Sequence, residues 1–169
     1  MKNITLIGMP GAGKSTIGVI LAKSLLCDFT DTDLIIQKKT GKSLCDIIDE
    51  RGTDGFLQLE NNIVCAQNFE NAVIATGGSV VYGEEAMAKL KEISTVVFLD
   101  VNIQELEKRL SNIRTRGVAM KKGTTVADLY AERLPLYQKY ADITLDCTGL
   151  TAEECVDRIC NEAKIRNQE

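Results

Sequence analysis

The segment Gly8-Met-Pro-Gly-Ala-Gly13-Lys14-Ser15 constrains this chain more than any other stretch. It has the spacing G-x-x-x-x-G-K-[ST] and lies between a short apolar run, Ile4–Ile7, and a helical stretch from about Lys14 to Leu26. In that setting the glycines let successive backbone N–H groups turn inward around a phosphate, and the helix N-terminus adds partial positive charge. Lys14 is expected at the β- and γ-phosphates of a nucleotide, with the Ser15 hydroxyl at an accompanying Mg²⁺ ion. Gly8, Gly11, Ala12, Gly13 and Thr16 complete the expected ATP-binding loop.

The remaining pattern says what kind of sheet the loop rests on. Short apolar or β-branched runs recur at Asp28–Asp31, Ala72–Ala75, Thr95–Leu99 and Ile143–Leu145, and helical stretches alternate with them. Residues from about Asp33 to Phe69 read as helix broken at Gly41 and Gly52. Asn102-Ile-Gln-Glu105 and Thr151-Ala-Glu-Glu154 read as capping boxes that open two further helices. The apolar face of the last helix is Cys155, Val156, Ile159, Cys160 and Ala163. Such alternation implies a single α/β domain over residues 1–169, a parallel sheet covered by helices on both faces. Residues 111–125 lose periodicity and carry Arg114, Arg116, Lys121, Lys122 and two glycines, the pattern of a mobile lid.

Composition narrows the chemistry. The chain of 169 residues has no histidine and no tryptophan. Histidine-ligated zinc, Ser-His-Asp and Cys-His nucleophile pairs and an imidazole base are therefore excluded. A net charge of −4 argues against a nucleic-acid partner, which needs a basic stripe to displace counterions. The six cysteines contain no C-x-x-C pair and read as small buried hydrophobes rather than a disulfide framework. Ile4–Ile7 is too short for a secretory core or a membrane span, so a cytoplasmic protein without a membrane or an obligate protein partner is expected.

No Asn-Lys-x-Asp exists to read guanine, and Asp49-Glu-Arg-Gly52 falls on a helical pattern rather than a switch loop. A small kinase acting on a bound hydroxylated small molecule remains. Asp31-Thr-Asp33 follows the second strand, which places it at the carboxyl edge of the sheet beside the phosphate loop. One carboxylate can order the Mg²⁺ shell; the other can accept the acceptor's hydroxyl proton, and Asp33 suits that role. The alternative at this point is that Asp33 only caps the next helix.

Taken together, Gly8–Thr16, Asp31-Thr-Asp33, Thr40-Gly-Lys-Ser43, Gly55-Phe56…Glu60, Thr76-Gly-Gly78 and Glu132-Arg133…Pro135-Leu-Tyr137 resemble the shikimate kinase family. The resemblance implies a three-layer P-loop kinase fold with a five-stranded parallel sheet, and Mg-ATP as phosphoryl donor. It also implies a substrate-binding helical region at about 33–61 and a lid at about 111–125. It makes Asp33 the residue gripping the acceptor hydroxyl and Asp31 a partner of the Mg²⁺ shell. Arg109 would lie against adenine, Arg116 in the lid and Arg133 at the substrate carboxylate. With Lys14 and Arg116 neutralising the γ-phosphoryl, Gly77 and Gly78 would offer amides to the acceptor or γ-phosphate region.

Three segments depart from the family pattern. The family's Phe-Arg-x-x-Glu is Phe56-Leu57-Gln58-Leu59-Glu60, so the carboxylate-binding arginine is Leu57. Losing one charge-assisted contact costs about 1.5–3 kcal/mol, or roughly 10- to 150-fold in affinity. Glu60 is then expected to face the pocket without its partner. The third glycine of the Gly-Gly-Gly turn is Ser79, and the lid's Arg-Pro-Leu is Arg116-Gly117-Val118. The main expectation is phosphoryl transfer from ATP to shikimate. The alternatives are a related kinase for another polyol, amino alcohol or hydroxy acid, and a nucleotide-binding regulatory module without turnover.

Overall fold

The computed structural model describes residues 2–110, 117–121 and 123–166, with side chains described through residue 162. Five strands, β1 (Asn3–Ile7), β2 (Asp28–Asp31), β3 (Ala72–Ala75), β4 (Ser94–Asp100) and β5 (Ile143–Asp146), form one parallel sheet in the order β2-β3-β1-β4-β5. Register is continuous across it: Leu6 stands beside Ala75 on one side and Val97 on the other. β1 and β3 are buried along their whole length, as strands covered on both faces must be. The parallel, doubly covered sheet expected from the alternation is therefore the one observed.

Polar side chains explain why β1 begins one residue before its apolar run. Asn3 donates through Nδ2 to the carbonyls of Phe69 (2.9 Å) and Ile93 (3.2 Å) and accepts from the Ala72 amide (2.9 Å). Thr5 and Ser94 share a hydrogen bond of 2.7 Å inside the sheet. Each buried polar atom is satisfied, so these residues fix register without a desolvation penalty.

Among the described residues seven α-helices accompany the strands, six between them and the last after β5: α1 (Lys14–Leu25), α2 (Thr32–Thr40), α3 (Leu44–Cys65), α4 (Glu84–Ile93), α5 (Ile103–Arg109), α6 (Val126–Tyr140) and α7 (Ala152–Arg166). Gly41 ends α2 in the left-handed region, and Gly52 kinks α3 at φ 71, ψ 173. Both breaks fall where the sequence put them. Helix α4 was not assigned from sequence. Its signals are ordinary ones: Glu84 and Glu85 in the first turn, Lys91 in the last, and Ala86, Met87 and Leu90 buried.

The capping boxes divide. Thr151 and Glu154 exchange both bonds. Asn102 accepts from the Glu105 amide (2.9 Å), but the reciprocal bond is absent because the Asn102 amide donates to Thr148 Oγ1 (3.1 Å). Glu105 is drawn away to Arg109 and to the Gly149 amide. No helix of the described residues is long and apolar enough to cross a membrane.

Candidate active site

The phosphate loop follows β1 and ends at Gly13, the N-cap of α1, at φ 94 and ψ 11. That left-handed value is what a glycine supplies cheaply. Lys14 is 8 % exposed, and its Nζ donates to the carbonyls of Gly8 (2.8 Å) and Met9 (2.9 Å). Burial pulls its ammonium down to about 8, partly opposed by the charge of Asp33. The loop thus bends around its own lysine at the positive end of α1.

Asp31 ends β2 and caps α2, its Oδ1 accepting from the Asp33 amide (3.0 Å). Its Oδ2 accepts from the Ser15 hydroxyl at 2.6 Å. The helix cap is therefore Asp31 and not Asp33, which leaves the Asp33 carboxylate uncommitted. Ser15 and Asp31 bring two hard oxygens together beside the loop, although the described residues hold no cluster of three or more metal-ligating side chains. Two protein oxygens suit Mg²⁺, which keeps waters and takes phosphate oxygens for the rest of its octahedron.

A cavity of about 500 Å³ opens from the loop toward α2, α3 and α6. Pro10, Lys14, Ser15, Asp33, Gly78 and Arg133 are among the residues that line it, with Gly11, Gly13, Thr16, Gly77, Ser79 and Arg109 from the expected set. A second cavity, of about 220 Å³, is bounded by Arg109, Ala12, Thr16, Leu150 and Cys155. Arg109 lines both, with Gly13 and Thr16, and it donates through Nη1 to the Gly11 carbonyl (3.0 Å) and pairs with Glu105. Gly8 stands behind the loop rather than on the cavity wall, its carbonyl held by Lys14.

Arg133 is 1 % exposed and shares the buried face of α6 with Leu129, Tyr137 and Tyr140. Its Nη2 donates to the Ala119 carbonyl (2.6 Å) and its Nε to Tyr82 Oη (3.3 Å). Tyr82 in turn donates to Glu132, and Tyr137 donates to the Gly78 carbonyl at 2.6 Å. Sequence reasoning gave neither tyrosine a role, although Tyr137 closes the motif that begins at Glu132. The available signal was spacing: Tyr137 follows Arg133 by one helical turn, so both face inward.

Two expectations need correction. Glu60 was expected to face the pocket without a partner. It is 1 % exposed, does not line the cavity, and its Oε2 accepts from the Ser79 hydroxyl at 2.6 Å. Leu57 does not line the cavity either, but packs against a small apolar cluster that includes Ile36, Ile47, Phe56 and Ala119. The substitution at Ser79 and the one at Leu57 are thus linked through Glu60. A serine hydroxyl now binds the carboxylate that a guanidinium was expected to neutralise.

Burial pushes the carboxyls of Asp33 and Glu60 up, to about 6 and about 7. Desolvation dominates in both; Asp31 adds to the first, while the Ser79 hydrogen bond opposes the second. Arg116 lies outside the described residues. Beyond it, Gly117, Val118 and Ala119 line the cavity, with Gly117 packed against Leu44 at the start of α3.

Comparison with known proteins points one way. A family model described as shikimate kinase matches residues 10–164. A shikimate kinase of Francisella tularensis subsp. novicida is 37% identical over 162 residues, 94% of this chain and 92% of that one. That of Thermodesulfovibrio yellowstonii is 35% identical over 165 residues, 96% of this chain and 95% of its own. Among solved structures, shikimate kinase from Acinetobacter baumannii in complex with shikimate superposes with a TM-score of 0.90 at 27% identity, covering 100% of this chain and 96% of that chain. The Aquifex aeolicus enzyme gives 0.80 at 32% identity, covering 96% of each.

Proposed function

This chain belongs to the shikimate kinase family and is an ATP-dependent phosphotransferase, and from that premise we propose that it carries the γ-phosphoryl of ATP to a hydroxyl of shikimate bound in the 500 Å³ cavity. The observation that carries the reading is the pairing, in one cavity, of a buried guanidinium, Arg133, with the Asp33 carboxylate. A hydroxy acid offers the complement of both. Arginine has five N–H donors, and the Ala119 carbonyl and Tyr82 hydroxyl leave donors over for a substrate carboxylate.

In this reading Asp33 orients the acceptor hydroxyl and takes its proton as the O–P bond forms. Lys14 exchanges its two carbonyl partners for phosphate oxygens, and Arg116 adds charge at the γ-phosphoryl. The loop amides from Gly8 to Thr16 cradle the phosphates, Arg109 lies against the base, and Gly77, Gly78 and Ser79 form the acceptor's floor. Ser15 and Asp31 would hold Mg²⁺, which neutralises phosphate charge when bound. Ser15 and Asp31 themselves need only release their mutual hydrogen bond to do so. Lid closure over residues 111–125 would keep water from the phosphoryl group. Glu60, bound by Ser79, does not touch the acceptor in this reading, and Leu57 packs against the small apolar cluster. No nucleic-acid, membrane or obligate protein partner enters the reaction.

A coupled ADP-release assay across shikimate, other polyols, amino alcohols and hydroxy acids tests the proposal. Saturable turnover with shikimate is the expected result. Turnover confined to another hydroxylated compound, or ATP binding with no turnover on any acceptor, would overturn it.

A further inference from the structure

Among the described residues, two buried side-chain oxygens have no hydrogen-bond partner, and they belong to one another's neighbourhood: Asp33 Oδ1 and Glu60 Oε1. Both crowd a single point beside Gly77. A Cβ placed on that glycine would stand 2.5 Å from Glu60 Oε1 and 2.7 Å from Asp33 Oδ1. Two ionised carboxylates so placed in a desolvated setting repel strongly, and neither oxygen would be satisfied. One proton resolves both problems.

The hydrogen bonds already fixed say where that proton sits. Ser79 donates to Glu60 Oε2, which marks Oε2 as the carbonyl-like oxygen and leaves Oε1 to carry hydrogen. We propose that Glu60 is a positioning residue for Asp33: protonated at Oε1, it donates to Asp33 Oδ1, so that the Asp33 carboxylate is held with Oδ2 toward the acceptor hydroxyl. The proton taken from the acceptor goes to Asp33; the Glu60 proton stays on Oε1 throughout.

The surroundings favour this assignment. Four charged or polar groups face Glu60: Ser79 after β3, Asp33 on α2, Lys14 at the start of α1 and Arg133 on α6. Neither cation forms an ion pair with it among the described residues, and Leu57, one helical turn away, brings none. With burial as the main cause and the Asp33 charge adding to it, the Glu60 carboxyl is raised to about 7. A neutral carboxylic acid buried for use as a hydrogen-bond donor is a known device for orienting reactive groups. Glu60→Gln keeps a donor and an acceptor in the same places; Glu60→Leu keeps the bulk and removes both.

This proposal rests on the reading of Asp33 as the acceptor-side carboxylate, and the test separates the two. The kcat with saturating shikimate and ATP is measured across neutrality for the wild type, Glu60→Gln, Glu60→Leu and Asp33→Asn. Glu60→Leu is expected to lose about 100-fold in kcat, the cost of a misplaced reacting group. Glu60→Gln is expected to stay within about fivefold of wild type and to lose the alkaline limb that Glu60 ionisation causes near neutrality. A Glu60→Gln enzyme as slow as Glu60→Leu, or one that keeps the wild-type limb, overturns the proposal. A fully active Asp33→Asn enzyme instead sinks the underlying assignment of Asp33. A second readout needs no turnover: with ¹³C-labelled glutamate carboxyls, the wild-type Glu60 resonance is expected to remain that of a neutral acid through mildly acidic pH. A signal already ionised there refutes the proposal, whatever the kinetics.

Discussion

Replacing Gly77 by alanine separates positioning from stability. Gly77 has no left-handed φ, so a methyl group there adds volume without backbone strain. That methyl would meet Glu60 Oε1 at 2.5 Å and Asp33 Oδ1 at 2.7 Å, whereas ordinary contact begins at about 3.4 Å. The two oxygens must therefore retreat by about 0.9 and 0.7 Å. Both sit at the ends of side chains with torsions to spare, so the fold loses little, on the order of 1 kcal/mol. Catalysis loses more, since a displacement of that size at a reacting carboxylate costs ~100-fold. Gly18→Ala is the control: its methyl meets Phe29 Cε2 at 2.7 Å in the core, away from the cavity. Overpacking there costs about 1–3 kcal/mol, partly offset by the helix propensity of alanine. Gly77→Ala should thus have near-normal thermal stability and ~100-fold lower kcat, and Gly18→Ala the reverse. ADP release and a melting curve on each protein decide it. A Gly77→Ala kcat within about threefold of wild type would refute the claim that these two oxygens are placed for the reaction.

Lys14→Ala and Asp33→Asn should each cut kcat by at least ~100-fold with the protein still folded, measured by the same ADP-release assay. Arg133→Lys gives up the Nη2 bond to Ala119 and the Nε bond to Tyr82. It should raise the shikimate KM by roughly 10- to 150-fold while the ATP KM changes little. The pH dependence of stability follows from Glu60, whose carboxyl is raised from 4.5 to about 7 on folding. The folded state binds the extra proton within that window, so this contribution is full below 4.5 and is lost as pH rises through about 7. Its upper limit is on the order of 3 kcal/mol. Glu60→Gln should flatten the difference between urea midpoints measured on either side of the window.

The sequence by itself determined the backbone logic of this protein. The strand, the glycine loop with its lysine and serine, and the helix that follows are legible in order along the chain. So is the placing of Asp31 and Asp33 at the end of the next strand. Those are local facts, fixed by spacing over a few residues, and so were the helix breaks at Gly41 and Gly52. Even the overlooked α4 has its amphipathic face and charged ends written in the chain. Tertiary structure decided which oxygen of which carboxylate is spoken for. Asp31, not Asp33, caps α2 because its side chain reaches back to the Asp33 amide, while Ser15, sixteen residues earlier, comes within 2.6 Å of its other oxygen. Ser79, nineteen residues from Glu60, takes up that buried carboxylate where the loss of an arginine at Leu57 had suggested an open charge. Tyr82 and Tyr137 became part of the site only when α6 brought them against Arg133 and Gly78. Hydrogen bonds and desolvation depend on what long-range packing brings within 3 Å, and no local pattern of residues carries that information.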